Sequence, residues 1–304
     1  MSSRERGVAI VLAMGVLALA ATAAVAIVVS YTAWSRERQQ GADGIQAHVL
    51  VRAGMDWARA VLSDDRRTGS ADHFGEPWAL RLPPIRIENA ELSGQLDDQQ
   101  GAFNLNNLAA AGSIDPAQMA CFRRLLSVLG LPGHLADALA DWIDADAEPR
   151  LPGGAEDGYY AALPAPHLTA NRPLTDVVEL AVVRGFEAEV MARLRPFVTA
   201  LPRFTAVNVN TATPEVLAAV VPGLGLDVAR ELVAQRERVF FRDRNDFLRK
   251  LPATARPAGR DIAASSDFFT ATLSVRVGEA EARGVVLLLR EGMGWPAVVW
   301  RKQS

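Results

Sequence analysis

Near its N-terminus the chain carries an almost uninterrupted run of apolar residues, and this run constrains the fold more than any other segment. It extends over residues 8–29, and no charged residue occurs between positions 7 and 35. About 20 apolar residues are enough to cross the hydrocarbon core of a bilayer as a helix. The apolar part of a cleaved secretory signal is only about 7–15 residues long. The sequence therefore predicts a membrane-spanning helix over residues 8–30.

A short polar leader precedes the apolar run. It contains Arg4 and Arg6 and ends at Gly7, directly before the first residue of the run, Val8. This arrangement resembles the leader of type IV prepilins and of type II secretion pseudopilins, in which a membrane peptidase cuts after the glycine. The resemblance implies cleavage between Gly7 and Val8 and N-methylation of Val8. An ordinary membrane anchor without this processing is the alternative.

The fifth residue after the implied cleavage site is Leu12. Most pilin-like subunits resemble one another in carrying Glu at this position, where its usual partner is the N-terminal amine of the neighbouring subunit ahead. A lone carboxylate in lipid is costly and needs such a partner. The family member that lacks the Glu is the K-type minor pseudopilin of type II secretion. Leu12 cannot pair with a subunit ahead, so the resemblance implies a place at the tip of the fibre.

Composition describes a globular body attached to one anchor. Half of the 304 residues are apolar and 22% are charged, and about 270 residues outside the anchor are enough for two or three domains. The net charge of −3 gives no electrostatic reason to expect nucleic acid as a partner. Cys121 is the single cysteine, so no intramolecular disulfide forms, and we expect it to be a small core residue.

Apolar residues continue at helical spacing beyond the membrane segment. The stripe that we expect to be buried consists of Val49, Ala53, Trp57, Ala60 and Val61. The pattern ends at residues 63–65, which predicts one helix over residues 8–62, about 80 Å long at 1.5 Å per residue. Half of this helix lies in the membrane and half is expected to pack on a soluble domain.

Segments with the alternating pattern of β-strands occur on both sides of a long helical region. On the N-terminal side they are 85–88, 91–96 and 101–105, with Pro83-Pro84 ending the preceding element and Asp97-Asp98 forming a turn. On the C-terminal side they are 268–277, 283–290 and 297–301. The first group is too small to be stable alone, so we expect the two groups to form one sheet around a helical insertion.

The insertion is marked by several helix starts. Asp115 and Pro116 suit an N-cap and a first helical position, and Gln118 suits a capping-box partner. Further helices are predicted over 134–143, 176–184, 187–197, 213–221 and 226–238, with a short closing turn at 246–251. In the first two helices the expected inward side chains are Met119, Phe122, Leu126, Leu129, Leu135, Leu139 and Trp142.

Two parts of the insertion closely resemble the K-type pseudopilin. Residues 140–149, 153–160 and 170–180 resemble its first helical domain, and residues 207–240 resemble its second, SAM-like domain. The implied fold is α+β: a pilin-like long N-terminal helix on a small antiparallel sheet, interrupted by a large all-α (SAM-like) insertion. The implied division is leader 1–7, transmembrane helix 8–30, pseudopilin helix and first strands 31–106, helical domains 107–205 and 206–252, and returning strands 253–304.

Acidic residues are concentrated in the loop after the second helix of the insertion. Asp144, Asp146 and Glu148 alternate there, and Glu156 and Asp157 follow after a Gly-Gly bend. Several carboxylates in a flexible loop suit calcium, which takes 6–8 oxygen ligands, and the resemblance to K-type pseudopilins also implies calcium binding. The alternative is a solvated acidic loop whose side chains cap helices.

The segment 207–225 also resembles a helix-hairpin-helix module, in which a glycine turn and a helix N-terminus present backbone N–H groups to a phosphate. Such modules occur in membrane-anchored DNA-binding proteins, which are the alternative function. Asp227 follows the turn here, and the nearby Arg230 and Arg236 are offset by Glu231 and Glu237. We therefore expect the glycines to serve a close helix–helix turn and expect no nucleic acid partner.

No pattern of catalytic residues is recognisable. The histidines at 48, 73, 134 and 167 stand apart, and neither H-x-x-x-H nor G-x-S-x-G occurs. The resemblance implies a non-enzymatic subunit at the tip of the type II secretion pseudopilus, active in assembly initiation and in export of folded proteins. Its implied partners are the I-, J- and H-type minor pseudopilins, the major pseudopilin and the prepilin peptidase. Its implied location is the inner membrane, single-pass, with the C-terminal domain in the periplasm.

Overall fold

The computed structural model describes the backbone of residues 3–110 and 112–304, and the side chains of residues 11–109 and 112–304. One long helix, α1 (Ser3–Thr68), precedes a five-stranded sheet. Within the described residues, seven shorter helices lie between the second and third strands of that sheet along the chain. A long N-terminal helix on an antiparallel sheet with a helical insertion is the α+β fold that the sequence predicts.

The C-terminal part of α1 packs on the sheet through a different face from the predicted one. The buried residues are Ala47, Val51, Met55, Ala58 and Leu62. Val49 and Trp57 of the predicted stripe are 61% and 50% exposed, Ala53 is also exposed, and Ala60 and Val61 are half-buried. Both faces are apolar at helical spacing, so periodicity alone does not select between them.

Glycines decide which face of α1 meets the sheet. A Cβ atom on Gly284 of the sheet would lie 2.4 Å from Val51 Cγ1 and 2.5 Å from Met55 Cε, and one on Gly54 of α1 would lie 3.0 Å from Leu273 Cδ2. Real Cβ atoms essentially never show the first two distances and rarely show the third, so the absence of side chains at these glycines lets this face of α1 lie close to the strands. Of the predicted stripe, Val49, Ala53 and Trp57 are exposed and Ala60 and Val61 are half-buried.

The sheet has the order β1-β2-β9-β10-β11, with every neighbouring pair antiparallel. Its strands are β1 (Leu82–Ile87), β2 (Ala90–Asp98), β9 (Phe268–Val277), β10 (Ala280–Leu289) and β11 (Ala297–Gln303). The prediction of one sheet built from two distant segments is therefore confirmed. Pro83 and Pro84 lie inside β1 instead of ending the element before it, because β1 is an edge strand with an irregular register between Leu82 and Ile85, where proline is tolerated.

Two predictions at the end of β2 are wrong. Asp97 and Asp98 are the last residues of the strand and do not form a turn. The strand predicted over 101–105 is a two-residue strand, β3 (Phe103–Asn104), between short 3-10 helices at Gln99–Gly101 and Leu105–Leu108. The side chains of Asp98 and Asn104 accept the backbone N–H groups of Gln100 and Asn106, and these local hydrogen bonds favour turns over a longer strand.

The insertion contains helices and short strand pairs. The helices are α2 (Pro116–Val128), α3 (Leu135–Ile143), α4 (Asp157–Tyr160), α5 (Ala188–Leu194), α6 (Pro214–Val220), α7 (Leu226–Arg236) and α8 (Arg244–Leu248). The two-residue strands are β4 (Ala109–Ala110) with β5 (Ser113–Ile114), β3 with β6 (Val198–Thr199), and β7 (Val207–Asn208) with β8 (Ile262–Ala263). The segment predicted as a helix over 176–184 is a 3-10 helix, Val177–Val182.

Side chains at the helix starts behave mostly as predicted. Asp115 caps α2 by accepting the N–H groups of Ala117 and Gln118. The capping-box role of Gln118 is wrong, because its amide donates to Asp261 Oδ1 at 2.8 Å. Cys121 is buried, as are the predicted inward residues of α2 and α3 except Leu129, which is half-buried.

The main apolar cores of the two regions are separate; a small cluster of Leu201, Phe268 and Leu287 and a polar junction connect them. One cluster fills the insertion and another lies between α1 and the sheet. We define the polar junction as Asp65, Asp72, Asp98, Asn208, Ser266 and Arg290. These residues come from the end of α1, the loop after it, the end of β2, β7, the loop before β9, and the residue after β10. The junction therefore ties the insertion to the pilin-like body through hydrogen bonds.

Candidate functional site

The acidic loop of the insertion folds back on the end of α3. Asp144 is the residue that ends α3, Asp146 lies in the following loop, and Glu156 precedes α4. Each of the three offers a carboxylate oxygen, and these oxygens lie within 4.8 Å of one another. Asp144 and Glu156 are only 1% and 7% exposed, whereas Asp146 is at the surface. Three of the five predicted calcium ligands therefore converge.

The other two predicted ligands point elsewhere. The Asp157 carboxylate accepts hydrogen bonds from the Thr169 backbone N–H at 2.9 Å and from its hydroxyl at 2.6 Å. Glu148 is exposed, and its backbone N–H donates to Asp146 Oδ1 at 3.0 Å. Asp157 thus fastens the start of α4 to residue 169, and Glu148 contributes its main chain to the loop around Asp146.

Asp141, one helical turn before Asp144, is a carboxylate of this site that the pattern of the loop does not reveal. It is fully buried in α3, and its Oδ2 accepts the backbone N–H of Arg150 at 3.0 Å. A Cβ atom on Gly154 would lie 2.1 Å from Asp141 Oδ2, so only glycine allows the loop to close over it. The i, i+3 spacing of Asp141 and Asp144 on one helix face is the signal that points to it.

We call Asp141, Asp144, Asp146 and Glu156 the acidic cluster. Burial raises the pKa of Asp141 to about 6, and Asp144 adds to this shift. Burial and then the charge of Asp141 raise the pKa of Glu156 to about 7. The pKa of Asp144 is also raised, chiefly by burial. Ionisation of these carboxylates in the folded protein therefore costs free energy.

Several oxygens of the acidic cluster have no hydrogen-bond partner among the described residues. They are Oδ1 of Asp141, Oδ1 of Asp144, and both Oε1 and Oε2 of Glu156. Buried polar atoms in proteins are nearly always paired with a hydrogen-bond donor, a water or an ion. Hard carboxylate oxygens that converge from a loop and a helix end are the donor set that calcium prefers. The residues present therefore fit a calcium ion.

Arg150 is the cation that faces the acidic cluster. Its Nη2 donates to Asp144 Oδ2 at 2.8 Å and lies 4.0 Å from Asp146 Oδ2, and its Nε lies 3.5 Å from Asp141 Oδ1. The hydrogen bond to Asp144 and the neighbouring negative charges raise the pKa of this guanidinium. Arg150 balances part of the charge of the cluster.

A second acidic group, Asp65, Asp72 and Glu76, differs from the acidic cluster because its carboxylates have partners. Arg290 forms ion pairs with Asp65 and Asp72. Glu76 accepts the backbone N–H of His73 and the Trp78 indole N–H, each at 2.8 Å. This group is therefore a structural ion-pair network of the body.

Comparisons with known proteins agree with this architecture. Family models described as type II secretion system (T2SS), protein K, match residues 101–203 and 207–276. The chain is similar to the type II secretion system protein K of Pseudomonas aeruginosa, with 33% identity over 290 residues that cover 90% of this chain and 86% of the relative. The chain belongs to the type II secretion system protein K family. Its similarity to the Klebsiella pneumoniae member is 33% over 311 residues, covering 96% of this chain and 94% of that relative.

A solved structure shares the fold of this protein K family member. It is a chain of the GspK–GspI–GspJ complex from the type 2 secretion system of enterotoxigenic Escherichia coli, with a TM-score of 0.77 and 26% identity. The match covers 89% of this chain and 99% of that chain. Proteins of this family are minor pseudopilins, structural subunits of the secretion system. The family resemblance stated from the sequence is confirmed.

In this protein K family member, α1 contains the predicted anchor. Among the described residues, α1 is the one helix long and apolar enough to cross a membrane, and its apolar stretch is not buried by the rest of the chain. Leu12 lies in this stretch with its side chain 64% exposed. Gly7 and Val8, the predicted cleavage site, lie outside the residues whose side chains are described. Cleavage between them stays a prediction.

The glycine turn before α7 serves packing. Gly223 has φ of +80°, and a Cβ atom there would lie 2.3 Å from the backbone oxygen of Thr254. The two arginines near the turn are engaged: Arg230 pairs with Asp227 at 3.0 Å, and Arg236 donates to the Val209 backbone oxygen at 2.6 Å. This arrangement agrees with a close helix–helix turn and gives no support to the DNA-binding alternative.

Proposed function

We propose that this chain is the tip subunit of the type II secretion pseudopilus, where it takes part in assembly initiation and in export of folded proteins across the outer membrane. The observation that carries the proposal is the position of the insertion relative to the membrane helix. Gln40 of α1 donates to Glu279 in the β9–β10 turn at 3.3 Å, which puts this turn at the membrane side of the sheet. Asp65, much further along α1, pairs with Arg290 after β10.

The insertion leaves the sheet at the end that lies away from the membrane. The insertion begins after Asp98 and ends before Phe268. The end of β2 and the start of β9 are paired with each other, and they lie at the end of the sheet opposite the β9–β10 turn. A subunit ahead in the fibre would occupy the space on this side, so the bulk of seven helices opposes its addition. Leu12 supports the same position, because it offers no carboxylate for the amine of a subunit ahead.

We infer that the partners are the I-, J- and H-type minor pseudopilins, with the major pseudopilin following below. The solved complex in which a chain of this fold occurs contains GspI and GspJ, which supports the first two. We propose that the prepilin peptidase cuts between Gly7 and Val8, that Val8 is then N-methylated, and that α1 anchors the chain in the inner membrane with the C-terminal domain in the periplasm. The short polar leader and the apolar run support this arrangement.

The tip position predicts where the protein is found in fibres. With gold-labelled wild-type protein in cells that overproduce the major pseudopilin, we expect label at one fibre end only. Leu12→Glu should reduce secretion, because a carboxylate without a partner in lipid costs roughly 2.5–3.5 kcal/mol, whereas the matched variant Leu12→Ala should secrete normally. Label distributed along the fibres, or equal secretion by both variants, would contradict the proposal.

We also propose that the acidic cluster binds calcium through Asp144, Asp146 and Glu156, with Asp141 beside them. The unpaired buried oxygens of Asp144 and Glu156 support this proposal. When bound, the ion supplies positive charge that the cluster lacks. Asp141 and Asp144 lie at the end of α3, and Glu156 lies at the start of α4. An ion bound to these carboxylates would therefore fix the loop that connects the two helices.

Calcium is expected to raise the melting temperature of the protein. At a calcium concentration of 100 times Kd the stabilisation is about 2.7 kcal/mol, which corresponds to roughly 4–5 °C for a chain of this length. Glu156→Gln should lose most of the increase, whereas Glu148→Gln, the matched change at an exposed carboxylate outside the cluster, should keep it. The measurements are scanning calorimetry with calcium or a chelator and titration calorimetry. Absence of both binding heat and stabilisation in the wild type would refute calcium binding.

A further inference from the structure

We propose that Arg150 is an exchangeable counter-ion of the acidic cluster: its guanidinium balances the carboxylates in the metal-free protein and moves into solvent when calcium binds. The charge competition would set the calcium concentration at which the loop becomes fastened. This inference rests on the proposed calcium site and deepens it. Arg150 lies in the same loop as the ligands, so the competitor is part of the site.

The guanidinium lies against two of the three carboxylates that converge. Its Nη2 is 2.8 Å from Asp144 Oδ2 and 4.0 Å from Asp146 Oδ2, and these two residues with Glu156 form the converging group. Calcium binds carboxylate oxygens at 2.3–2.6 Å. An ion between Asp144 and Asp146 would therefore lie within a few ångströms of Nη2, where two positive charges repel each other strongly. Simultaneous occupation is unfavourable.

Arg150 balances the acidic cluster incompletely. Its one positive charge pairs with Asp141, Asp144 and Asp146, and neither oxygen of Glu156 receives a hydrogen bond from a described residue. The guanidinium Nε has no hydrogen-bond partner among the described residues either. The guanidinium therefore donates one hydrogen bond to Asp144 and does not form a bidentate pair, which would be stronger. A cation held in this way is exchangeable for a divalent ion that several oxygens can bind at once.

The side chain of Arg150 is able to leave while its main chain stays in place. The backbone N–H donates to Asp141 Oδ2 at 3.0 Å, and the backbone oxygen accepts the N–H of Gly154 at 2.6 Å. The side chain, in contrast, is 36% exposed and borders an open surface cavity that Asp146 and Arg123 also line. Rotation of the side chain into this cavity would clear the carboxylates without unfolding the loop.

Exchange predicts opposite effects of one substitution on the two forms of the protein. Arg150→Met keeps the aliphatic stem and removes the charge, so the metal-free form loses its counter-ion and should melt at a lower temperature. The same variant should bind calcium on the order of tenfold more tightly, because the competing state is removed. Arg150→Lys keeps a charge and should lie closer to the wild type in both measurements.

Arg123→Met is the matched control. Arg123 lines the same cavity but forms its ion pair with Asp137 at 2.6 Å, so its loss changes the charge nearby without freeing the acidic cluster. The experiment measures calcium Kd by titration calorimetry and melting temperature in chelator, with the full-length chain in detergent. Tighter binding and a lower metal-free melting temperature for Arg150→Met, with a much smaller gain in affinity for Arg123→Met, are the expected results.

Other outcomes overturn the inference in distinguishable ways. If the wild type binds calcium and Arg150→Met binds equally or more weakly, Arg150 is no competitor and the calcium site itself stands. If Arg123→Met gains as much affinity as Arg150→Met, a general field of positive charge replaces local exchange as the explanation. If neither the wild type nor Arg150→Met binds calcium, the proposed site and the inference both fail.

Discussion

Replacing Arg290 with Met is expected to lower the free energy of unfolding by about 3–5 kcal/mol, the usual result when one partner of a buried ion pair is removed. Arg290 is 1% exposed. It donates to Asp65 Oδ2 at 2.6 Å, to Asp72, and to the Ser266 backbone oxygen at 2.8 Å. Its guanidinium also lies over the Phe269 ring, 4.7 Å from the centroid. Loss of this charge leaves two buried carboxylates without compensation.

The effect of Arg290→Met should depend on pH. Burial and the charge of Glu76 already raise the pKa of Asp65 to about 6, although Arg290 lowers it, and removing Arg290 raises it further. A carboxyl group whose pKa is raised by folding stabilises the fold below its unfolded pKa and loses this contribution as pH rises through the folded pKa. The deficit of the variant should therefore be smaller at pH 5 than at pH 7.5.

Chemical denaturation at pH 5 and pH 7.5 measures the free energy of unfolding and tests both the size of the loss and its dependence on pH. Arg283→Met is the matched control, because Arg283 lies in β10 with a side chain that is 68% exposed and pairs only with exposed Glu281. It should change the unfolding free energy by less than about 1 kcal/mol. Equal losses for the two variants, or a larger deficit for Arg290→Met at low pH, would show that the buried ion pairs do not hold the junction together.

Regular alternation made the sheet predictable from the sequence. The strand at residues 268–277 has the bounds that the sequence indicates, because buried and exposed side chains alternate along most of it. The prediction that this strand shares a sheet with β2, which ends about 170 residues earlier, followed from the size of the first group of strands, which is too small to be stable alone. The helical insertion between them then required no further assumption.

Periodicity failed where two faces of one element are apolar. The face of α1 that contains Val49 and Trp57 and the face that contains Val51 and Met55 have the same helical spacing. The choice between them depends on steric fit to Gly284 on a strand that is distant in sequence. A pattern within the helix holds no information about this partner.

The acidic cluster was predictable in part. Alternating carboxylates indicated the loop and identified Asp144, Asp146 and Glu156, but loop geometry directs Asp157 towards Thr169. Asp141 was missed because a carboxylate inside a helix reads as an exposed residue, and its burial depends on Gly154 closing over it. The contact of Arg150 with the cluster also depends on the path of the loop, which the order of residues does not specify.

The polar junction was not predictable, because its residues lie in six separate segments. The local sequence predicts that Asp98 lies in a turn and that Asp65 lies at the end of a helix. Each forms hydrogen bonds or ion pairs with residues more than 100 positions away. The local sequence favours a turn or a helix end as the role of a single acidic residue, and only the tertiary fold brings such residues to their partners.

Asp98→Ala is expected to separate the stability of the helical insertion from that of the pilin-like body. The Asp98 carboxylate accepts hydrogen bonds from the Gln100 N–H at 2.8 Å, Thr211 Oγ1 at 2.6 Å, Ser266 Oγ at 2.7 Å and Asn208 Nδ2 at 3.0 Å. These donors belong to the insertion and to its return to the sheet. Since each donor left unpaired in a buried site costs about 1–3 kcal/mol, the loss should reach at least about 3 kcal/mol.

Asp97→Ala is the matched control at the neighbouring position, because the Asp97 carboxylate is bonded only to the Gln95 amide within its own strand, at 2.7 Å. Scanning calorimetry should show the control melting as the wild type does. For Asp98→Ala we expect the insertion and the body to melt in separate transitions, because their apolar cores are distinct and the hydrogen bonds between them are weakened. A single transition at the wild-type temperature would mean that packing alone couples the two regions. In that case the hydrogen bonds of the polar junction would not be what holds the insertion to the sheet.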